Sequence, residues 1–163
     1  MDIKEKGYRL NVGIIVANSD GKLLYCKRKN STNWQFPQGG IDKNEDPLKA
    51  AKRELFEEVG ISSKYVELIK SSNDWYKYDV PARSRRKIFI NKKFKGQKQK
   101  WFLFKLKENT QISFENDPDN EFENFKWVSY WYPLAVIVSF KEGVYRKALN
   151  ELKYAYCSEF SDV

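Results

Sequence analysis

Residues 39–61 read GGIDKNEDPLKAAKRELFEEVGI and hold a helix whose two ends are both marked in the sequence. Asp46 has the side chain of a helix N-cap, and Pro47 suits the first helical position. Leu48, Ala51, Leu55 and Val59 recur at helical spacing, and Gly60 supplies a C-terminal stop. On the predicted helix Glu54, Glu57 and Glu58 stand at i, i+3 and i+4, inside an arc of roughly 100°. Such crowding costs roughly a few tenths of a kcal/mol for each exposed like-charged pair. The helix dipole adds to the cost near the C-terminal end. A cation held between the carboxylates would offset both terms. Oxygen-only ligation suits hard divalent ions, magnesium first and manganese second. By spacing alone, a solvated acidic face remains the alternative.

The rest of the composition narrows the chemistry. The chain has 163 residues and no histidine, so histidine general bases, histidine-bound metals and Ser-His or Cys-His nucleophiles are excluded. Cys26 and Cys157 lie far apart and read as ordinary thiols. Any catalysis therefore rests on carboxylates, lysines or tyrosines. A net charge of +8 favours a polyanionic partner. No apolar run is long enough for a membrane span, and the first six residues lack the apolar core of a signal peptide. The expectation is a cytoplasmic protein without membrane contact.

Outward from the helix, Asn11 to Ala17 and Lys22 to Arg28 flank the turn Asn18-Ser19-Asp20-Gly21 and predict a β-hairpin. Trp34 to Gln38 is a short extended piece broken by Pro37. Further strands are predicted at Val66–Lys70, Trp75–Val80, Trp101–Lys107 and Phe125–Val128. A last helix should start at Ser139, with Glu142 completing a capping box, and run to about Leu152. Trp101, Phe102, Trp127 and Trp131 read as core rather than as stacking platforms. The segment Ala82–Lys98 carries Arg83, Arg85, Arg86, Lys87, Lys92, Lys93, Lys95 and Lys98 with no acidic residue. It is either a solvated loop or an electrostatic guide for a phosphate backbone.

Taken with its flanks, residues 39–61 are more specific than their helix. Gly39, Glu45, Arg53-Glu54, apolar Leu55, Glu57-Glu58, Gly60 and apolar Ile61 stand at the spacings of the Nudix signature. The chain resembles the Nudix hydrolase superfamily, whose members cleave a nucleoside diphosphate linked to another moiety. The resemblance implies an α/β protein, a Nudix α/β/α sandwich with a mixed β-sheet between helices. It implies a single domain over 7–152, with 1–6 and 153–163 as short terminal extensions. It also implies roles: Glu57 and Glu58 as magnesium or manganese ligands, Glu54 as a ligand or the general base, and the Gly39 or Gly40 carbonyl completing the set. Arg53 would orient a catalytic glutamate, and Glu45 would be mainly structural.

Longer blocks are similar to the bacterial RNA pyrophosphohydrolase branch, also described as dinucleoside polyphosphate hydrolases: residues 7–13 (GYRLNVG), 34–40 (WQFPQGG), 96–102 (GQKQKWF) and 127–133 (WVSYWYP). For RNA, the implied reaction removes pyrophosphate from a 5′-triphosphate end and leaves a 5′-monophosphate, which initiates mRNA decay. Arg9, Gln35, Gln38 and Lys98 would meet phosphate oxygens, and Tyr78 the 5′ end. Gln35 and Gln38 have a second reading as hydrogen-bond partners of the adjacent loop. Arg28, Val138, Phe140 and Lys141 would form a pocket for an RNA base. Glu121 would be a further metal ligand or the base. Diadenosine tetra- or pentaphosphate is the alternative substrate. A basic RNA-binding module without turnover is the reading outside the enzyme class, and the intact glutamate set argues against it.

Overall fold

The computed structural model describes residues 3–90 and 93–161. Strands β1 (Tyr8–Ala17), β2 (Leu23–Arg28), β3 (Trp34–Gln35) and β4 (Gln38–Gly40) precede helix α1 (Pro47–Val59). Strands β5 (Val66–Ser71) and β6 (Tyr76–Asp79), a one-turn helix α2 (Arg85–Ile88), β7 (Gly96–Leu106) and β8 (Phe122–Val128) follow. Helices α3 (Tyr132–Val136) and α4 (Glu142–Glu159) end the chain. The order β3-β2-β1-β7-β5 forms the body of one mixed sheet, with β4 on β1, β6 on β7 and β8 on β2. β1 and β7 are parallel from Tyr8–Gly96 to Ala17–Lys105, and the other pairs are antiparallel.

Strand alternation divides the core in two. Val12, Ile14 and Val16 turn to one face with Phe102, Phe104 and Leu106, where Ala50, Ala51, Leu55 and Val59 of α1 cover them. Ile15, Trp101 and Leu103 turn to the other, under Val144, Tyr145, Ala148, Leu149 and Leu152 of α4. The sheet therefore lies between two helices, as expected of an α/β/α sandwich.

At Gly13 the alternation needs a missing side chain. Its register partner is Trp101, and a Cβ there would lie 2.4 Å from the indole Cδ2. Neither a central strand nor a fully buried ring can retreat. Gly13→Ala is expected to cost about 3 kcal/mol, roughly 10 °C in Tm; thermal unfolding checks it, and an unchanged Tm would refute the packing account.

Helix α1 matches its sequence prediction. Asp46 Oδ2 accepts from Leu48 N at 3.1 Å and Lys49 N at 3.4 Å, and Gly60 closes the helix at φ 75°. Other predictions need correction. The β1–β2 hairpin keeps only the pair Ala17–Leu23, because β2 turns away to pair with β8 and β3 while β4 takes the lower part of β1. The capping box at Ser139 is absent. Ser139–Lys141 forms a 3-10 turn without a side-chain cap, and the Glu142 carboxylate accepts instead from Arg146. Nor does the helix stop near Leu152. It runs to Glu159, because Tyr156 donates its hydroxyl to Gly21 O at 2.5 Å and Phe160 is buried in the core. Trp101 and Phe102 are core and Trp127 is half-buried, but Trp131 is 44 % exposed. Tyr130 takes the inner position beside it and donates to Leu149 O at 2.7 Å.

Candidate active site

Arg53 organises the carboxylates of α1. Its Nε and Nη2 donate to the two oxygens of Glu45, at 2.8 and 2.9 Å, a bidentate pair. Nη1 donates to Glu54 at 2.9 Å and to Glu57 at 3.2 Å, and Nη2 also reaches Gly40 O at 2.9 Å. One guanidinium thus ties the helix to the β4 end of the sheet. Glu45 in turn accepts from Asp42 N at 3.0 Å, which pins the loop before the helix. Burial is offset at Glu45 by Arg53, which holds its carboxyl below the usual range.

The glycines before the helix are close-approach positions. A Cβ on Gly39 would lie 2.0 Å from Glu54 Cδ, and one on Gly40 would lie 2.0 Å from Arg9 Nη2. The Glu54 carboxyl therefore rests on the Gly39 backbone, and the Arg9 guanidinium rests on Gly40.

A cavity of about 110 Å³ gathers Gly39, Gly40, Glu54, Glu58 and Glu121 beside Arg9, Arg28, Gln35 and Gln38. Glu121 arrives on a turn organised by Asp117, whose carboxylate accepts from Asp119 N and Glu121 N, each at 2.9 Å. Asp119 lines the same cavity. Burial is the main force on all three glutamates. It pushes Glu54 up to about 7, against Arg53 and with Glu57 and Glu121 adding to the rise. Glu58, 2 % exposed, is raised well above its ordinary value by burial, then by Glu121, Glu54 and Asp117. Glu121 is raised by burial despite Arg28.

Glu57 is not in that cavity's lining and, among the described residues, is tied to it through Arg53. Among the described residues no three carboxylates converge tightly enough to grip an ion as they stand. The donor set nevertheless fits a hard divalent cation. Buried carboxylates repel one another with too little positive charge among them, and each of Glu54, Glu57 and Glu58 keeps one oxygen with no hydrogen bond among the described residues. Their terminal torsions are broad and soft, which leaves the free oxygens able to turn toward a ligand.

A second cavity, about 380 Å³, adjoins the first and shares Arg28 and Gln35 with it. Val138, Phe140 and Lys141 line it, so the four residues expected to hold a base come together. Lys141 is 4 % exposed and donates to Gln35 Oε1 at 3.1 Å and Gln38 Oε1 at 3.4 Å. Burial, then Arg28, brings it down to about 7, against Glu121 and Glu58.

Two expected contacts fall elsewhere. Lys98 Nζ donates to Ile3 O at 2.8 Å and lies 3.7 Å from Glu5, because alternation along β7 turns Gln97 and Gln99 toward the site and Lys98 away. Tyr78 is buried beneath the pocket, its hydroxyl accepting from Gln38 Nε2 at 3.5 Å, and burial pushes it up to about 12. Gln35 and Gln38 line the first cavity, and their side chains bond to Lys141 and, for Gln38, to Gln99 and Tyr78 on distant elements, in place of the adjacent loop.

Sequence reasoning missed Asn11, Gln97 and Gln99, all buried under the site. Gln99 Nε2 donates to Asn11 Oδ1 at 2.8 Å and to Gln38 Oε1 at 3.3 Å. In GQKQKW both strand faces are polar, so a period of two does not say which one is inside. Of the basic segment, Lys92 lies outside the described residues.

Comparison with known proteins agrees with this geometry. The family model described as NUDIX domain matches residues 7–148. An RNA pyrophosphohydrolase from Francisella tularensis subsp. mediasiatica (strain FSC147) is 48% identical over 155 residues, covering 93% of this chain and 97% of that protein. The RNA pyrophosphohydrolase of Francisella philomiragia subsp. philomiragia is similar to the same extent. Among solved structures, the Escherichia coli dihydroneopterin triphosphate pyrophosphohydrolase aligns with a TM-score of 0.69 at 20% identity, over 88% of this chain and 98% of its own. A Caenorhabditis elegans Ap4A hydrolase aligns at 0.64 and 18%, over 93% and 99%, and these two likenesses concern the fold alone. The chain belongs to the Nudix hydrolase family and, within it, to the group those RNA pyrophosphohydrolases form.

Proposed function

We propose that this protein hydrolyses the 5′-triphosphate end of RNA, releasing pyrophosphate and leaving a 5′-monophosphate, the step that opens mRNA to decay. The observation that carries the reading is the shared wall of Arg28 and Gln35 between a carboxylate cavity and a base-sized cavity, in a chain 48% identical to an RNA pyrophosphohydrolase. A polyphosphate and an unstacked base would then lie on one continuous surface. Arg9 and Arg28 supply fixed positive charge for phosphate oxygens. Phe140 and Val138 offer apolar faces in the same cavity that Arg28 lines, a suitable set for clamping a base.

Water attacks phosphorus, the bridging P–O bond breaks, and the electron pair leaves on pyrophosphate. Glu54 and Glu121, both in the cavity lining, are the two candidates to take the water's proton. Arg53 fixes the rotamer of Glu54 and leaves one of its oxygens open. Nudix hydrolases use divalent metals. In this reading Glu57, Glu58, the Gly39 or Gly40 carbonyl and whichever of Glu54 and Glu121 is not the base would hold magnesium or manganese, which would supply charge neutralisation for the polyphosphate and a lowered pKa for the attacking water. No described helix is long and apolar enough to cross a membrane, and we place the reaction in the cytoplasm.

Incubation of 5′-triphosphorylated RNA with protein and magnesium should yield monophosphorylated RNA and pyrophosphate. No conversion, alongside efficient cleavage of diadenosine tetraphosphate, would move the assignment to dinucleoside polyphosphates.

The raised carboxylates give a separate prediction. Glu54 binds its proton more tightly folded than unfolded, so its contribution to stability is complete below about 4.5 and is lost as pH rises through about 7. Metal-free protein should therefore lose Tm across that window. Magnesium competes with the same protons, so it should raise Tm more at pH 8 than at pH 5.5. Equal magnesium shifts at both pH values, read by calorimetry, would contradict the ligand assignment.

A further inference from the structure

Helix α2 stands at the edge of both cavities. Phe89, just after it, is buried in the α4-side core against Phe94, with ring centroids 5.7 Å apart, and Ile88 packs on the same core. Arg85 Nε ties the turn to Val80 O at 2.8 Å. These anchors leave Arg83, Arg86 and Lys87 exposed, and none of the three has a side-chain hydrogen bond or ion pair among the described residues. Lys87 lines the carboxylate cavity and the base cavity, and Arg83 lines the base cavity. Two unpaired cations on an anchored turn, one lining both ligand cavities and the other lining the base cavity, are unlike a solvated loop, whose charges face outward from any site.

A chain laid with its triphosphate in one cavity and a base in the other must carry its backbone across the wall between them. That backbone holds one negative charge per nucleotide, whereas a dinucleoside polyphosphate has no phosphodiester to place there. Resting on the RNA reading above, we infer that Arg83 and Lys87 bind the phosphodiesters downstream of the 5′ end and so favour RNA over free dinucleotides. They contact the chain and not the reacting phosphorus, so they set specificity and take no part in the bond-breaking step.

The test uses the double variant Arg83→Ala/Lys87→Ala, both sites being exposed and the fold checked by Tm. Its kcat/KM on a 5′-triphosphorylated octamer should fall about tenfold further than on diadenosine tetraphosphate, the size of one to two exposed charge-assisted contacts. The log–log salt dependence of octamer binding should flatten by roughly 0.7 for each lost phosphate contact. Arg83→Lys/Lys87→Arg should restore both. Anisotropy of a labelled 5′-monophosphorylated octamer reads the same contacts without turnover. If the wild type fails to hydrolyse triphosphorylated RNA, the proposed reaction falls while the binding arm still reports on α2. If the reaction stands but the variant loses equally on both substrates with an unchanged salt slope, the α2 inference is wrong.

Discussion

Glu57→Gln is expected to lower kcat by about 10³-fold, with little change in Tm. The substitution keeps shape and an oxygen for Arg53 Nη1, which now lies 3.2 Å away, and removes only the charge. The site is one-third exposed, so the fold does not depend on it. On the proposed ligand set, the loss would be one anionic ligand of a cation that faces a polyphosphate, a contribution of several kcal/mol to the transition state; about 4 kcal/mol corresponds to roughly 10³ in rate. Steady-state kinetics at several magnesium concentrations check it. A rate within twofold of wild type at saturating magnesium would remove Glu57 from the ligand set, leaving Glu54, Glu58 and Glu121 as the cavity already suggests.

Arg53→Lys should be about tenfold less damaging, and by a different route. Lysine keeps the positive charge but has one donor centre in place of a planar fork. It cannot hold Glu45 with two bonds while reaching Glu54, Glu57 and Gly40 O together. The carboxyl of Glu54, resting on Gly39, then loses its fixed rotamer, and a displacement of about 1 Å costs on the order of 10² in rate. A few degrees of Tm should go as well, because the loop before α1 is released. Since Arg53 acts through its neighbours, its loss should fall on kcat more than on KM and should raise the magnesium concentration needed for half-maximal rate. A pure KM effect would show that Arg53 meets substrate instead.

The sequence made the most legible parts of this protein local ones. Asp46, Pro47 and Gly60 mark the bounds of α1 through capping chemistry that needs no tertiary context, and Glu54, Glu57 and Glu58 follow from spacing on that helix. Arg53 was legible as a partner of a glutamate, but not as a bridge to Glu45, Gly40 and two further carboxylates at once. What was not legible depends on packing. Lys98 and Gln99 are neighbours of similar polarity, and only the pairing of β7 with β1 decides that the glutamine turns inward. Trp131 and Tyr130 could each have filled the core, and the hydroxyl bond of Tyr130 to Leu149 selects the tyrosine. The continuation of α4 past Leu152 was hidden for the same reason, since Tyr156 finds its acceptor on Gly21 at the far end of the chain.

The parallel pairing of β1 with β7 has a consequence for synthesis. Tyr8 waits for Gly96, and Ala17 for Lys105, before the middle of the sheet can close. Closing so long a loop comes before any gain from the pairing, so this junction is a late event, whereas α1 is local and early. A nascent chain that has not yet released Leu106 from the ribosome has its acidic helix but no floor of Asn11 and Gln99 beneath it. The site thus cannot be complete before the seventh strand arrives, and it still waits for Glu121, Phe140 and Lys141 from the chain that follows.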